Sequence, residues 1–467
     1  MKKYFLILVI LLLSAALSVY AVDPRELKFA PLEFKPPVPE RFVTDNGVIV
    51  YFLAQKELPV VTANLLFHGG TAYDPADRAG LAEMTASLLR SGGAGRRSPE
   101  QVDEELDFTA IGIGSAASDD EMTLSMQTLK KDVSLAFEIL SDMIIEPRFD
   151  SAKVATEISN RMDDIRRQND DPRRVTRRVF YETIYTGHPY GLSPTLASMG
   201  RITREDILAL HKKYYSPNNC LLSVSGDLTL DEVKEIVGKY FGSWKKSDVA
   251  ISALPMAAMQ YNPGVYYAER DINQAQIRLG HLCMDIKNPD RQAMDVVNFA
   301  LGSSGFTSRL MQQIRTTAGL AYSVGSYNIN RPLMGVFFGF CETRADAMAQ
   351  ATGMMLDIIR EVKDKGITEE EMTLARESLL NSYVFNYDTP DKIASAAASL
   401  EFYGFPPDQL QRNVDALKAV TLEDCNRVAQ KYLAPDKCAI IVTGNRSMFD
   451  KPLETFGPVT DVSMEIK

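Results

Sequence analysis

The sequence predicts an α+β protein built as a tandem duplication of two homologous mixed-sheet/helix domains. Three observations carry that reading. The chain, at 467 residues, is too long for one ordinary core and suits two of about 200 residues each. Landmarks also recur at a fixed offset. Thr203-x-Glu205 returns as Thr421-x-Glu423, Lys213-Tyr214 as Lys431-Tyr432, and Pro217, Cys220 and Gly226 as Pro435, Cys438 and Gly444, each pair 218 positions apart (421 − 203). Asp170-x-Pro172 and Asp388-x-Pro390 share that offset, which drifts to about 212 near Leu89 and Leu301, as loop insertions produce. Finally, each half mixes strands and helix runs without regular alternation, which suits an antiparallel or mixed sheet with helices on one face. The bare face of each sheet is left to meet the other half or to line a cavity.

In chain order, Met1 to Ala21 reads as a secretory signal: Lys2-Lys3, an apolar run from Tyr4 to Leu17, then small residues around Val19-Tyr20-Ala21. Residues 22–43 are Pro-rich and read as an extended arm. The first domain, 44–247, opens with strands at Val48–Leu53 and Val60–His68. The apolar run from Leu81 to Leu89 is a helix ended by Gly92-Gly93, and Ser98-Pro99 supplies a cap and first residue for the next. Phe108–Ser115 and Glu121–Gln127 form an expected hairpin. Amphipathic segments at Asp132–Ile145, Ser151–Arg167 and Arg173–Tyr185 follow, then a helix at Thr203–Tyr215, a strand at Cys220–Ser225 and a helix at Leu230–Phe241. Residues 248–263 lack periodicity and read as a linker, and 264–467 is the second domain.

Composition narrows the function. Hydrophobic residues at 45% and charged residues at 24% describe a soluble globular protein. The net charge of −10 becomes −12 without Lys2 and Lys3, which argues against nucleic acid and anionic membrane surfaces as partners. The signal segment makes the expected location periplasmic or secreted, with no membrane attachment after signal cleavage; an uncleaved membrane anchor is the alternative. Five scattered cysteines, Cys220, Cys283, Cys341, Cys425 and Cys438, show neither a disulfide framework nor metal-ligand spacing.

The most informative stretch runs from Gly305 to Tyr327. Ser308 reads as the cap of a helix carrying Leu310, Met311 and Ile314, Gly319 stops it, and Leu320–Tyr327 is a strand. Arg315 at the helix end and Tyr322 at the strand start are seven residues apart. A guanidinium and a phenol brought together there can both donate to one carbonyl or anion. The plainer reading makes Arg315 a solvated helix-end residue and Tyr322 a core aromatic.

The stretch Ser308-Arg309-Leu310 … Arg315 … Gly319-Leu320-Ala321-Tyr322-Ser323-Val324 resembles the second-domain signature of the pitrilysin/insulinase family of zinc peptidases, which includes the mitochondrial processing peptidases. Thr316-Thr317-Ala318 departs from the charged residues usual there. The resemblance implies two domains that face each other as half of a clamshell enclosing a peptide-sized chamber. It also implies that Arg315 and Tyr322 contact substrate at a zinc site.

The family's first domain carries His-x-x-Glu-His after a Gly-x-Ala element, two imidazoles binding zinc and the Glu serving as general base. Here Gly80-Leu81-Ala82 is followed by Glu83, Ala86 and Ser87 at those three positions, and the distal carboxylate ligand falls near Asp163-Asp164. His68, His188, His211 and His281 are dispersed, with structural or surface roles expected for each. The basic run Arg161–Arg178, interleaved with Asp163, Asp164, Asp170 and Asp171, reads as solvated helix faces joined by ion pairs.

Together these features predict a metal-free subunit of an exported heterodimeric peptidase, inactive alone. It would lend Arg315 and Tyr322 to a homologous zinc-bearing partner acting on a peptide, with no cofactor in this chain and zinc in the partner. The alternative is a non-catalytic peptide-binding or structural homologue of the same fold.

Overall fold

A computed structural model of the chain describes residues 34–466 except Val249, Ala257 and Met259. The expected signal and most of the arm lie outside the described residues. The first half comprises β1 (Glu40–Val43), β2 (Ile49–Ala54), β3 (Val60–His68), α1 (Leu81–Ser91), α2 (Pro99–Thr109), β4 (Gly112–Ala117), β5 (Glu121–Leu129), α3 (Val133–Ile145), α4 (Ser151–Arg166), α5 (Pro172–Ile184), α6 (Leu196–Arg201), α7 (Arg204–Tyr214), β6 (Cys220–Gly226) and α8 (Leu230–Phe241). The second half comprises β7 (Gly264–Glu269), β8 (Gln274–Leu282), α9 (Arg291–Asn298), β9 (Ala321–Ile329), β10 (Val336–Arg344), α10 (Met348–Lys365), α11 (Glu369–Tyr383), α12 (Pro390–Phe402), α13 (Gln409–Ala419), α14 (Leu422–Tyr432), β11 (Ala439–Gly444) and β12 (Val459–Asp461).

Two six-stranded mixed sheets result, ordered β1-β2-β6-β3-β5-β4 and β12-β7-β11-β8-β10-β9. Five strands correspond one to one, with β2 parallel to β6 as β7 is to β11. The sixth differs: the first sheet takes β1, antiparallel, from before the repeat, and the second takes β12, parallel, from its end. The matched helices α7 and α14 start from the same device, a threonine hydroxyl accepting from the amide of Asp206 or Asp424 while that carboxylate binds back. Cys220 and Cys438 fall at equivalent places in different halves, and all five cysteines are free thiols.

Three local expectations need correction. Glu40–Val43, expected in the arm, pairs with β2 as an edge strand. Phe108, expected in a strand, is the exposed penultimate residue of α2, and β4 begins only at Gly112 after Ala110 turns the chain in a left-handed conformation (φ 53°). Ser308 stands at the helix start as expected, its carbonyl accepting from the Gln312 amide at 2.9 Å, but its buried hydroxyl donates to the Gly305 carbonyl and caps no amide.

One face of the first sheet is covered by its own helices, with Met84, Leu88, Phe137, Leu140 and Phe241 in the core. The opposite face is covered by α12 of the second half, where Ala398 and Phe402 pack on Tyr51, Leu66 and Leu221. Reciprocally, α5 of the first half lays Val175, Val179, Phe180 and Ile184 on Val336, Phe338, Ala439 and Ile441 of the second sheet. Their spacing of four, one and four places them on one helical stripe. Both exchanged helices begin with Pro at the first turn, after Asp171 and Thr389. Polar ties follow the same route: Arg41 binds Glu401 of α12 through two bonds of 2.7 Å, and Tyr51 donates to the same carboxylate. Arg331, between β9 and β10, reaches Asp119 of the first half at 2.7 Å and lies over the rings of Tyr181, Tyr185 and Tyr190.

The start of α1 is fixed by a buried acid. Gly80 adopts a left-handed conformation (φ 98°), where a Cβ would meet Met199 at 2.3 Å. The Asp74 carboxylate accepts from the amides of Gly80 (2.9 Å) and Ala82 (3.0 Å). Burial pushes this carboxyl up to about 7, against the lowering effect of the two amides.

Two outcomes follow for stability. Phe180→Ala should cost about 3–5 kcal/mol and, because α5 joins one half to the other sheet, both halves should unfold in a single shifted transition by calorimetry. For Asp74, the folded pKa lies above the unfolded one, so the wild type loses stability as pH rises from about 4 to 7. Relative to Asp74→Asn, it should therefore lose ground over that window in urea titrations and hold a constant difference above it.

Candidate functional site

The residues at the family's zinc-motif positions stand on α1. Its buried side includes Leu81, Met84, Thr85, Ala86, Leu88 and Leu89. Ala86 is therefore a core residue, which leaves no room at that position for a carboxylate directed at solvent. Glu83 and Ser87, four apart, share a half-exposed stripe. Glu83 meets Arg161 of α4 at 3.4 Å, and Arg161 also donates to Glu157 at 2.9 Å. A cavity of about 200 Å³ opens here, lined by Glu83, Arg161, Asp164, Gln168, Arg178 and Met199 among others. Asp164 thus comes to the same cavity as Glu83, as the distal-ligand position suggested, whereas Asp163 points to Arg166 (2.6 Å).

This arrangement does not fit a zinc ion. A guanidinium stands against the one carboxylate of the motif, and no imidazole lines the cavity. The four histidines are engaged elsewhere. His68 stacks on Phe402 at 3.8 Å. His188 accepts from the Tyr190 amide through Nδ1, and its Nε2 meets the Pro255 carbonyl at 2.7 Å. His211 Nε2 lies 2.8 Å from the Ile144 carbonyl. His281 uses Nδ1 on the Leu282 carbonyl and Nε2 on the Ala434 amide. Burial holds His211 and His281 down to about 4, so both stay neutral at ordinary pH.

The second group is built on an irregular segment. After α9 the backbone widens into a π-helical turn, Phe299–Ser303, then a tight turn, Gly305–Thr307, then a second wide run, Met311–Thr317. Gly302 is required by close approach, since a Cβ there would sit 2.3 Å from Ser326 Oγ of β9. Ser326 in turn donates to Asn298 at 2.6 Å, tying the start of the loop to the strand beneath it. Gly319, in a left-handed conformation (φ 64°), ends the wide run as expected.

Beyond it, β9 pairs Ser323 with Glu342 but Ala321 with Thr343, so Tyr322 is the extra residue of a β-bulge. The bulge turns its side chain out of the sheet, leaving Tyr322 80% exposed. The Arg315 guanidinium stands 4.8 Å from the Tyr322 ring centre and 4.8 Å from that of Phe306. The expectation that Arg315 and Tyr322 meet across the turn is met, and Tyr322 is not a core aromatic. The contact is cation–π, which uses no hydrogen-bond donor of the guanidinium. Neither the Arg315 donors nor the Tyr322 hydroxyl bonds a described residue.

Three participants were missed in the sequence. Phe306 is an exposed aromatic inside a Gly/Ser loop, a legible signal, since such a ring has no core to enter. Arg161 was read only as part of a charged helix face. The bulge left no residue-level signal, because Leu320–Tyr327 reads as an unbroken strand.

Comparison with known proteins identifies the family and the fold. Residues 50–196 match the insulinase (peptidase family M16) model and residues 201–379 match the peptidase M16 inactive domain model. A Rickettsia felis protein named an uncharacterized zinc protease is 25% identical over 409 residues, covering 86% of this chain and 96% of its own. The crystal structure of a peptidase M16 inactive domain from Pseudomonas fluorescens superposes with a TM-score of 0.82 at 23% identity, over 89% of this chain and all of that one. The periplasmic protease PqqL of Escherichia coli superposes at 0.76 and 18% identity over 91% of this chain but 47% of its own length. Two M16 models that match residues 50–196 and 201–379 make this chain a member of the insulinase family, peptidase family M16.

Proposed function

We propose that the chain is the metal-free subunit of an exported two-chain peptidase, completing the zinc site of a homologous partner with Arg315 and Tyr322. The observation that carries this reading is the pair itself. A stacked guanidinium and a bulge-mounted phenol stand side by side at the surface, with donors that the fold does not use. The α1 cavity supports the other half of the reading, because its Glu83–Arg161 contact is unsuited to a metal.

Zinc held by the partner supplies the activated nucleophile. The residues of this chain act on the substrate: Arg315 holds a backbone carbonyl of the bound peptide, and Tyr322 donates to the oxyanion that develops at the carbonyl under attack. A preorganised donor of that kind is worth roughly 3–4 kcal/mol in the transition state. The stacking of Arg315 on Tyr322 and Phe306 prepares both groups, since a packed side chain loses less freedom when substrate arrives.

The alternative, a non-catalytic binding or structural homologue, assigns the same cluster a packing role. An exposed cation–π contact is worth about 0.5–1 kcal/mol, so that role is small.

Purified alone, the protein is expected to retain no stoichiometric zinc through dialysis against a weak chelator and to cleave no peptide. About one zinc per chain on elemental analysis would contradict the reading of α1. The decisive measurement uses the full chain mixed with an exported homologue carrying His-x-x-Glu-His. Tyr322→Phe should associate normally and lower kcat by roughly 10²–10³-fold with little change in KM. Arg315→Ala should raise KM more, because its target carbonyl exists already in the ground state. Wild-type turnover by the Phe variant would leave the cluster a packing feature and favour the alternative.

A further inference from the structure

The face of the second sheet that receives α5 holds a charged group the fold does not satisfy. In the first half, the fifth residue of β3 is Asn64, whose amide donates to Ser395 of α12 at 3.1 Å. Ser395 also meets Ser223, so that polar cluster is closed. The fifth residue of the equivalent strand β8 is Arg278. Its guanidinium lies 4.3 Å from the Phe338 ring centre and 5.7 Å from that of Phe180, and it bonds no carboxylate or carbonyl among the described residues. A ring contact is not a hydrogen bond, so the N–H donors of the guanidinium remain unused by the described residues. Burial holds its pKa below the ordinary arginine value, and nearby Arg177 acts in the same direction.

Arg278 lines a pocket of about 220 Å³ between α5 and the sheet, with Arg173, Thr176, Gln276, Tyr327, Phe340 and Glu342 also on its walls. The one carboxylate there is already taken: Arg173 holds both oxygens of Glu342, each at 2.8 Å. The Thr176 hydroxyl is committed to Pro172 and Thr443. Gln276, two residues before Arg278 on the same face of β8, is buried, and its amide bonds no described residue. Arg177 likewise has no ion-pair partner among the described residues. The remaining wall is apolar, the stacked rings of Tyr327 and Phe340.

We infer that this pocket binds a carboxylate carrying an adjacent apolar group, with the two oxygens on the Arg278 fork, the Gln276 amide beside them and the apolar group against Tyr327 and Phe340. A planar carboxylate is the anion that matches a fork of in-plane donors, and the pocket's unpaired charge is positive. The carboxylate comes from a peptide, either its C-terminus or an acidic side chain. The pocket opens on the sheet that carries Tyr322, since Glu342 lies opposite Ser323, the residue after it. The inference needs no partner subunit and holds whether or not the pair is catalytic.

Ligand-observed NMR on the purified chain tests it with three probes: N-acetyl-leucine (terminal carboxylate), N-acetyl-glutamate α-amide (side-chain carboxylate) and N-acetyl-leucinamide (no charge). One of the acids should bind at least roughly tenfold more tightly than the amide, and which acid it is names the source. Arg278→Gln should abolish that preference while melting no lower than wild type, because it removes a half-buried cation that has no counterion among the described residues. Tyr327→Ala, a half-exposed position, should weaken N-acetyl-leucine severalfold with the melting temperature unchanged, if the terminal carboxylate is the source. Equal binding of the acids and the amide by wild type overturns the inference, as does a preference that survives Arg278→Gln. An Arg278→Gln protein that melts well below wild type also counts against it, by making Arg278 a structural cation held by its rings.

Discussion

The exchange of α5 and α12 between the halves is the constraint on which the rest of the structure depends. A six-stranded sheet has two faces, and each half covers only one of them with its own helices. The second face of each sheet is closed by a helix from the other half, through Phe180 and Val179 in one direction and Phe402 and Ala398 in the other. Neither sheet can lose its cover without exposing apolar surface, at roughly 25 cal/mol per Å². Duplication alone gives two similar modules. Exchange of the helices ties each sheet's second face to the other half.

That constraint also explains how polar groups come to lie between the halves. The covered faces are not uniformly apolar: Asn64, Ser223, Gln276, Arg278 and Thr443 project from them. Where the incoming helix supplies a matching group, as Ser395 does for Asn64 and Thr176 for Thr443, the surface closes. Where it supplies Phe180 opposite Arg278, the half-buried charge meets rings and finds no counterion among the described residues. Two halves with the same strand order thus differ in which side chains are left available.

Much of this architecture was legible from residue spacing. The offset of 218 linked α7 to α14 because threonine caps, Pro turns and a strand start are short-range devices that a sequence displays directly. Helix exchange was not legible. The stripes of α5 and α12 announce that each helix is covered, but nothing in a stripe says which sheet covers it. The bulge at Tyr322 was hidden for a similar reason, since its cause is the register of β9 against β10 rather than any residue in β9. Phe306 and Arg161 were missed because tertiary contacts with Arg315 and Glu83 give them meaning.

The two motif regions stand differently toward the fold, and that difference bears on function. On α1, Ala86 is buried in the core and Glu83 faces Arg161, an arrangement that a metal site would exclude. In the second half, Tyr322 projects from a bulge with its hydroxyl unused, and phenylalanine would pack there equally well. Arg315 lies 4.8 Å from two ring centres, a cation–π contact that needs only a cation and leaves its N–H donors idle. Packing therefore accounts for alanine at 86 but not for a phenol at 322 or a guanidinium at 315. What those two groups add beyond packing is a set of directed donors, and such donors gain their value only when something outside this chain accepts from them.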